Sequence, residues 1–90
     1  IEGHEGTGVL GVFPNPASGA FRLNYALPKA GATSLEIADA SGRILVQRAL
    51  GTTRKGDLTF TTEELGLTSG VYEVVLTSEG SRLIQRLVVR

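Results

Sequence analysis

The chain has 90 residues and no cysteine, and its nine basic and nine acidic side chains cancel to a formal charge of zero. This length predicts a single domain, and without disulfides the fold must rest on its hydrophobic core. A charge of zero argues against a nucleic acid or an anionic membrane as a partner held by net electrostatic attraction. The sequence has no initial methionine, no signal-peptide pattern and no long apolar run, which predicts a piece of a longer protein.

The leader of the chain, residues 1–8, is rich in glycine and glutamate and predicts the end of a flexible linker, with a folded domain over residues 9–90. His4, the single histidine, lies in this leader without the further ligands that a metal site needs or the rigid pocket that a catalytic triad needs. Gly6-Thr7-Gly8-Val9-Leu10-Gly11 fits the GxGxxG spacing. A phosphate-binding loop requires a helix directly after it, and the proline turn that follows here argues against a nucleotide site.

Two strands are predicted around that proline turn. Val9–Phe13 predicts a short edge strand, and Pro14-Asn15-Pro16 ends it because proline has no N–H to donate to a sheet. Ser18-Gly19 completes the turn. A half-buried strand follows, because four large apolar side chains alternate with smaller or polar ones: Phe21, Leu23, Tyr25 and Leu27. Residues 28–31, Pro-Lys-Ala-Gly, then predict a loop.

A hairpin is predicted in the middle of the chain. Leu35 and Ile37 mark its first strand, and Asp39-Ala40-Ser41-Gly42 marks its turn, since aspartate caps the backbone and glycine adopts a left-handed conformation. The returning strand covers residues 43–50. Its alternation is irregular at Leu45, which indicates either burial on both faces or a bulge.

A polar loop, a short strand and one helical turn come next. Residues 51–56 predict the loop, and Leu58 and Phe60 mark the strand. Thr61 with Glu64 three residues later matches a capping box, and Gly66 ends the turn. We expect this turn to place Leu65 and Leu67 at the edge of the core.

The closing hairpin, residues 69–90, has its turn at Ser78-Glu79-Gly80. One face of it is apolar, while the other carries three arginines spaced four apart on the second strand: Arg82, Arg86 and Arg90. This arginine stripe has two interpretations. It protects an edge strand from aggregation, or it is a recognition surface for carboxylates, which the guanidinium fork binds with several donors.

The elements together predict an all-β fold, an antiparallel seven-stranded β-sandwich of the immunoglobulin-like kind. Alternation along the strands assigns its core. The expected core residues are Phe21, Leu23, Tyr25, Leu27, Leu35, Ile37, Ile44, Val46, Leu58, Phe60, Tyr72, Val74, Leu76, Leu83, Leu87 and Val89.

No enzyme, cofactor, metal or small-molecule substrate is predicted. Glu63 and Glu64 are adjacent, so on a helical turn they do not face each other across a cleft as a glycosidase pair does. The chain has no tryptophan, and Phe13 is the one aromatic residue that does not fall on an inward position. One ring is not a sugar-binding platform. An accessory sandwich, either a spacer or a weak carbohydrate- or ligand-binding module of a secreted enzyme, nevertheless stays open as an alternative.

Four short motifs, taken in order and spacing, resemble the type A C-terminal sorting domain of the type IX secretion system. They are Pro14-Asn15-Pro16 with Ser18-Gly19 and Phe21, Asp39-Ala40-Ser41-Gly42-Arg43, Ser69-Gly70-Val71-Tyr72 and Arg86-Leu87-Val88-Val89. The chain departs from the family pattern in two ways: it has arginine at 86 and 90 where lysine is frequent, and a single glycine before Tyr72.

The resemblance implies a secretion signal that directs an attached N-terminal passenger from the periplasm across the outer membrane to the cell surface or the medium. Its implied partners are the type IX translocon and a sortase-like surface protease that removes the domain, with the cut in or before the leader. The positions implied in recognition, together with the arginine stripe, are Pro14, Asn15, Pro16, Gly19, Asp39, Gly42, Arg43, Gly70, Tyr72, Arg82, Arg86, Val88, Val89 and Arg90.

Overall fold

The computed structural model describes residues 8–90, which form one antiparallel β-sheet system and a single helical turn. The predictions for the leader, including His4 and the first part of the GxGxxG spacing, lie outside the described residues. The elements are β1 (Val9–Phe13), β2 (Ala20–Asp39), β3 (Ile44–Thr61), α1 (Thr62–Leu65), β4 (Gly70–Ser78) and β5 (Ser81–Val89).

The all-β, antiparallel class is confirmed, but the described chain has five strands where the sequence predicts seven. The predicted loops at residues 28–31 and 51–56 are extended and belong to β2 and β3. At these positions the pairing of β2 with β3 slips between Ala26 and Gly31 and then continues. Proline and glycine therefore interrupt the register locally, and two predicted strand pairs become one long irregular hairpin.

β2 is the centre of the sheet. Its first half pairs with β1, its second half pairs with β4, and β3 follows it on the other side over nearly its whole length. β5 pairs with β4 alone among the strands. This arrangement brings β1 beside β5 without a ladder between them, so that the side-chain amide of Gln85 reaches the carbonyl of Leu10 at 3.2 Å.

The core lies where alternation along the strands predicts it. Tyr72 and Leu23, whose exposure would have overturned the assignment, are 6% and 1% exposed. The fully buried large side chains are Phe21, Leu23, Leu35, Ile37, Leu76, Leu87 and Val74. Leu58 and Leu83 are half-buried and pack against this core. Buried residues outside the predicted set include Leu10, Val12, Ala17 and Val75.

The prediction of Ile44 as a core residue is wrong, because this side chain is 51% exposed. Ile37 pairs with Val46 and Ala38 with Ile44, which leaves Leu45 as an extra residue in β3. This bulge confirms one of the two interpretations of the irregular alternation. It moves Ile44 to the outer face while Val46 stays in the core, since an inserted residue changes which side the alternation reaches.

The capping box of α1 is confirmed. The Glu64 backbone N–H donates to the Thr61 hydroxyl at 3.1 Å, and the Thr61 N–H donates to the Glu64 carboxylate at 2.8 Å. Gly66 ends the turn with a φ of 71°. Leu67 is buried and Leu65 packs against the core, as expected. Within residues 8–90 no helix is long and apolar enough to cross a membrane.

Candidate functional site: the edge of the C-terminal strand

Two of the sequence motifs, far apart in the chain, meet at the outer edge of β5. The side-chain amide of Asn15 donates from Nδ2 to the Arg86 carbonyl at 2.7 Å, and its Oδ1 accepts from the Val88 N–H at 2.9 Å. Asn15 is 71 and 73 residues from these partners. A primary amide carries the same donor and acceptor as a peptide group, so Asn15 pairs with the strand edge as a neighbouring strand would.

Ala17 and Gln85 extend this cover along the edge. The Ala17 N–H donates to the Val88 carbonyl at 2.7 Å, and the Arg90 N–H donates to the Ala17 carbonyl at 2.9 Å. The Arg86 N–H donates to Oε1 of Gln85 at 3.1 Å, while Nε2 of the same amide donates to Leu10. We call Asn15, Ala17 and Gln85 the edge clasp, because together they bind each outward backbone group of β5 from the Arg86 N–H to the Arg90 N–H.

The three arginines of the stripe are exposed. Arg82 and Arg86 share the outer face of β5 with Ile84 and Val88, and Arg90 follows directly after the strand. Arg86 lies directly opposite Glu73 of β4. Among residues 8–90 the single ion pair is between Asp39 and Arg43, so none of the three stripe guanidinium groups binds a described carboxylate. The stripe therefore presents cations to solvent.

Apolar side chains separate these arginines. Ile84 is 47% exposed and lies opposite Val75, while Val88 lies opposite Val71, which is also 47% exposed. The outer face of β5 thus alternates arginine with a β-branched residue. A surface of this kind offers both charge and apolar contact area to a protein partner.

The turn after β2 is held by Asp39. Its Oδ1 accepts from the Ser41 hydroxyl at 2.6 Å, the Ser41 N–H at 2.9 Å and the Arg43 N–H at 3.0 Å. The hydrogen bond from the Ser41 side chain, followed by that from the Arg43 backbone, lowers the pKa of the Asp39 carboxyl. Gly42 has a φ of 91°, which a side chain would disfavour. The predicted hairpin turn is confirmed.

This turn, Tyr72 and Arg86 meet around one shallow groove. Tyr72 pairs with Asp39 on one side and Leu87 on the other, and its hydroxyl donates to the Thr68 carbonyl at 2.6 Å. The groove is lined by Asp39, Ala40, Gly42, Val71, Tyr72, Glu73 and Arg86. Arg86 borders both this groove and the edge clasp, so most of the motif positions gather around one end of β5.

Two positions of the predicted set belong to other surroundings. The Gly19 carbonyl accepts from the Thr62 N–H at 2.7 Å, which places it at the start of α1. Arg82 lies near the hairpin turn, paired with Thr77, away from the clasp. Sequence reasoning missed Gln85 and Ala17. The signal for Gln85 was a lone polar residue at an inward position, which indicates a specific hydrogen-bond partner.

Within residues 8–90, metal-ligating clusters and exposed aromatic rings are scarce. Among residues 8–90 no three histidine, aspartate or glutamate side chains lie close enough to share a metal ion. Phe13 is the one aromatic ring that is substantially exposed, and the guanidinium of Arg22 stacks over it at 5.1 Å. The other four rings are buried.

These features define a small all-β module whose distinguishing site is a strand edge and its arginine-bearing face. Residues 11–90 match the family described as the secretion system C-terminal sorting domain, and the chain belongs to that family. Domains of this family are C-terminal sorting signals of type IX secretion, and this chain is one of them. No curated protein matches the chain.

Two solved structures from Porphyromonas gingivalis contain a similar fold. PorZ, a surface component of the type IX secretion system, is 26% identical with a TM-score of 0.62, over 90% of this chain and 11% of PorZ. Dimeric latent PorU is 17% identical with a TM-score of 0.66, over 92% of this chain and 9% of PorU. The chain spans about a tenth of each of these proteins, so the likeness concerns one domain of each.

Proposed function

We propose that this domain, residues 9–90, carries an N-terminal passenger from the periplasm to the outer-membrane translocon of the type IX system, and that the outer face of β4 and β5 is the surface the translocon reads. Family membership over residues 11–90 supports the sorting role. The observation that carries the choice of surface is the alternation of exposed arginine and β-branched side chains along β5, without ion pairs among the described residues.

The finer features of the proposal follow from the same role. A sortase-like surface protease cuts in or before residues 1–8, since proteases require extended chain, and the passenger then stays at the cell surface or is released. The domain has no catalytic site of its own. Its five strands fold as a two-layered, immunoglobulin-like sandwich in which β2 and β3 contribute to both layers. The bend that such a fold needs is supported by the register slip at residues 26–31.

The outer face of β4 and β5 indicates the chemistry of the translocon surface that would bind it. Guanidinium groups bind carboxylates with two parallel hydrogen bonds, and exposed Ile84 offers apolar contact near the centre of the face, with exposed Val71 at one end. We therefore expect the translocon to present an acidic surface with an aliphatic centre. The motif glycines and prolines shape the fold around this face rather than contacting the partner.

The test replaces the arginine stripe without disturbing the core. We fuse residues 1–90, wild type or R82Q/R86Q/R90Q, to a periplasm-directed reporter in a host with type IX secretion and measure the exported fraction. The matched control is K29Q/R54Q/K55Q, which removes the same charge from exposed side chains of β2 and β3. Exposed substitutions change stability by less than about 0.5 kcal/mol, so both variants should stay folded.

We expect the folded stripe variant to accumulate in the periplasm and the control to be exported as the wild type is. Normal export of the stripe variant would show that the arginines are not read and would leave edge protection as their role. Equal loss in both variants would point to total charge instead of a defined surface.

A further inference from the structure

The edge clasp covers the C-terminal end of β5, where Arg86, Val88 and Arg90 belong to the outer face of β4 and β5, which we call the recognition face. Asn15 binds the backbone of Arg86 and Val88 from one side, and Ala17 binds Val88 and Arg90. The side chains of Arg86, Val88 and Arg90 point to the outer face, whereas the clasp touches only their peptide groups. The clasp therefore leaves the recognition side chains accessible while it fixes the backbone from which they project.

The hydrogen bonds of Asn15 are exposed to solvent. An exposed hydrogen bond exchanges with water and adds little to net stability, so global folding gives a weak reason for this arrangement. Its geometric effect is larger, because the end of an edge strand frays unless its backbone groups are bound. Proline on both sides of Asn15 restricts the backbone that carries the amide.

We propose that Asn15 is a positioning residue for the recognition face: it acts through the backbone of Arg86 and Val88 to hold Arg86 and Arg90, the two arginines at the C-terminal end of the stripe, at a fixed spacing. The proposal rests on the proposed function, in which that face is read by the translocon. Arginines whose spacing is already fixed lose less conformational freedom on binding a partner than arginines on a frayed strand end. Gln85 assists from its own strand by occupying the Arg86 N–H.

The test opens the clasp with Asn15→Leu, which keeps the size of the side chain and removes both hydrogen bonds. Asn24→Leu is the matched control, the same change at an exposed position of β2. We measure amide hydrogen exchange by NMR on the full chain, and export of the reporter fusion. Asn15→Ala, which removes the same two hydrogen bonds without adding a larger apolar side chain, serves as the second variant if Asn15→Leu fails to fold.

Asn15→Leu should speed exchange of the Val88 amide at least tenfold, while the Val74 and Leu76 amides of β4 and the melting temperature stay close to the wild type. The exported fraction should fall toward that of the stripe variant, and Asn24→Leu should change neither quantity. Adding Asn15→Leu to R82Q/R86Q/R90Q should not lower the exported fraction further. If Asn15 acts only by positioning the arginines, its loss has no effect once the arginines are replaced.

Each negative result contradicts a different statement about the clasp or the recognition face. Unchanged exchange at Val88 contradicts the clasp, and faster exchange with normal export contradicts its positioning role while the proposed function stands. Normal export of the stripe variant contradicts the proposed recognition face. Loss of export in Asn15→Leu but not in the stripe variant shows that Asn15 acts by a route other than the arginines, which also overturns this inference.

Discussion

The hairpin of β2 with β3 and the hairpin of β4 with β5 protect their outer strand edges in different ways. β2 and β3 are 20 and 18 residues long, and their register is interrupted at three places. β4 and β5 are 9 residues each and pair without interruption from Gly70 with Val89 to Ser78 with Ser81. Each hairpin leaves one outer edge, on β3 or β5, that a foreign strand could join.

β3 is protected by its own irregularity. Leu45 is an extra residue in the ladder, and the register shifts again near Gly51. Arg48, Arg54 and Lys55 add charge along the same strand. Bulges twist an edge away from regular pairing, so β3 needs no cover from elsewhere in the chain.

β5 is regular and is covered by the edge clasp instead. A bulge in this strand would break the even spacing of Arg82, Arg86 and Arg90, since an inserted residue reverses the faces beyond it. An external cover keeps both the spacing and the protection. Edge protection is therefore a less convincing role for Arg86 and Arg90, because the clasp already binds the backbone groups at that end of the strand.

The largest expected effect comes from the core residue of the regular hairpin. Leu87→Ala removes a fully buried side chain and should lower the free energy of unfolding by about 2–5 kcal/mol. Leu45→Ala is the same chemical change at the bulge of β3, where the side chain is 38% exposed, and should cost less than about 1 kcal/mol. Urea unfolding of both variants measures the difference. Similar losses would mean that the bulge packs as tightly as the core.

A smaller loss of stability is expected when a side chain is added at Gly42, in the turn between β2 and β3, and almost none at Gly19, in the turn before β2. Gly42→Ala places a side chain on a residue with a φ of 91° and should cost about 1–2 kcal/mol. Gly19→Ala is the control, since a methyl group meets open space at both positions but Gly19 is outside the positive-φ set. Thermal unfolding of the two variants compares them. A Gly19→Ala loss as large as that of Gly42→Ala would contradict the conformational explanation.

Local signals in the sequence predicted the regular hairpin well. Alternation placed Tyr72, Val74 and Leu87 in the core and the arginines outside, and each of these placements is confirmed. The capping box at Thr61 and the Asp39 turn were also predicted, because each motif lies within a few residues and carries its own hydrogen bonds.

Features that depend on pairing between distant segments could not be predicted in this way. Proline and glycine at residues 28–31 indicate a loop in isolation, and only the partner strand reveals that the extended chain continues there. The irregular alternation at Leu45 left a bulge open as one interpretation, but it did not show which side chains the bulge would turn outward, so Ile44 was assigned to the wrong face. The sequence predicts Asn15 in a strand-ending turn, and the family resemblance adds it to the recognition positions, but its partners 71 and 73 residues away have no signature in a single sequence.

The smallest expected effect is a dependence of stability on pH at the Asp39 turn. The carboxyl has a pKa below its ordinary value of 3.8, because Ser41 and the Arg43 backbone donate hydrogen bonds to the ionised form. A group whose pKa is depressed by folding stabilises the fold above its unfolded pKa and loses that contribution as the pH falls through its folded pKa. The contribution of Asp39 should therefore be complete at pH 7 and disappear below pH 3.8.

Asp39→Asn isolates this contribution, because the amide oxygen still accepts the turn hydrogen bonds but does not titrate. The wild type should be the more stable protein at neutral pH, and the difference in melting temperature should shrink once the pH falls below 3.8. Other carboxyl groups titrate equally in both proteins, so their effects cancel in the difference. NMR titration of the Asp39 side chain gives the pKa directly. A pKa at or above 3.8, or a difference that grows on acidification, would show that the turn does not favour the charged form.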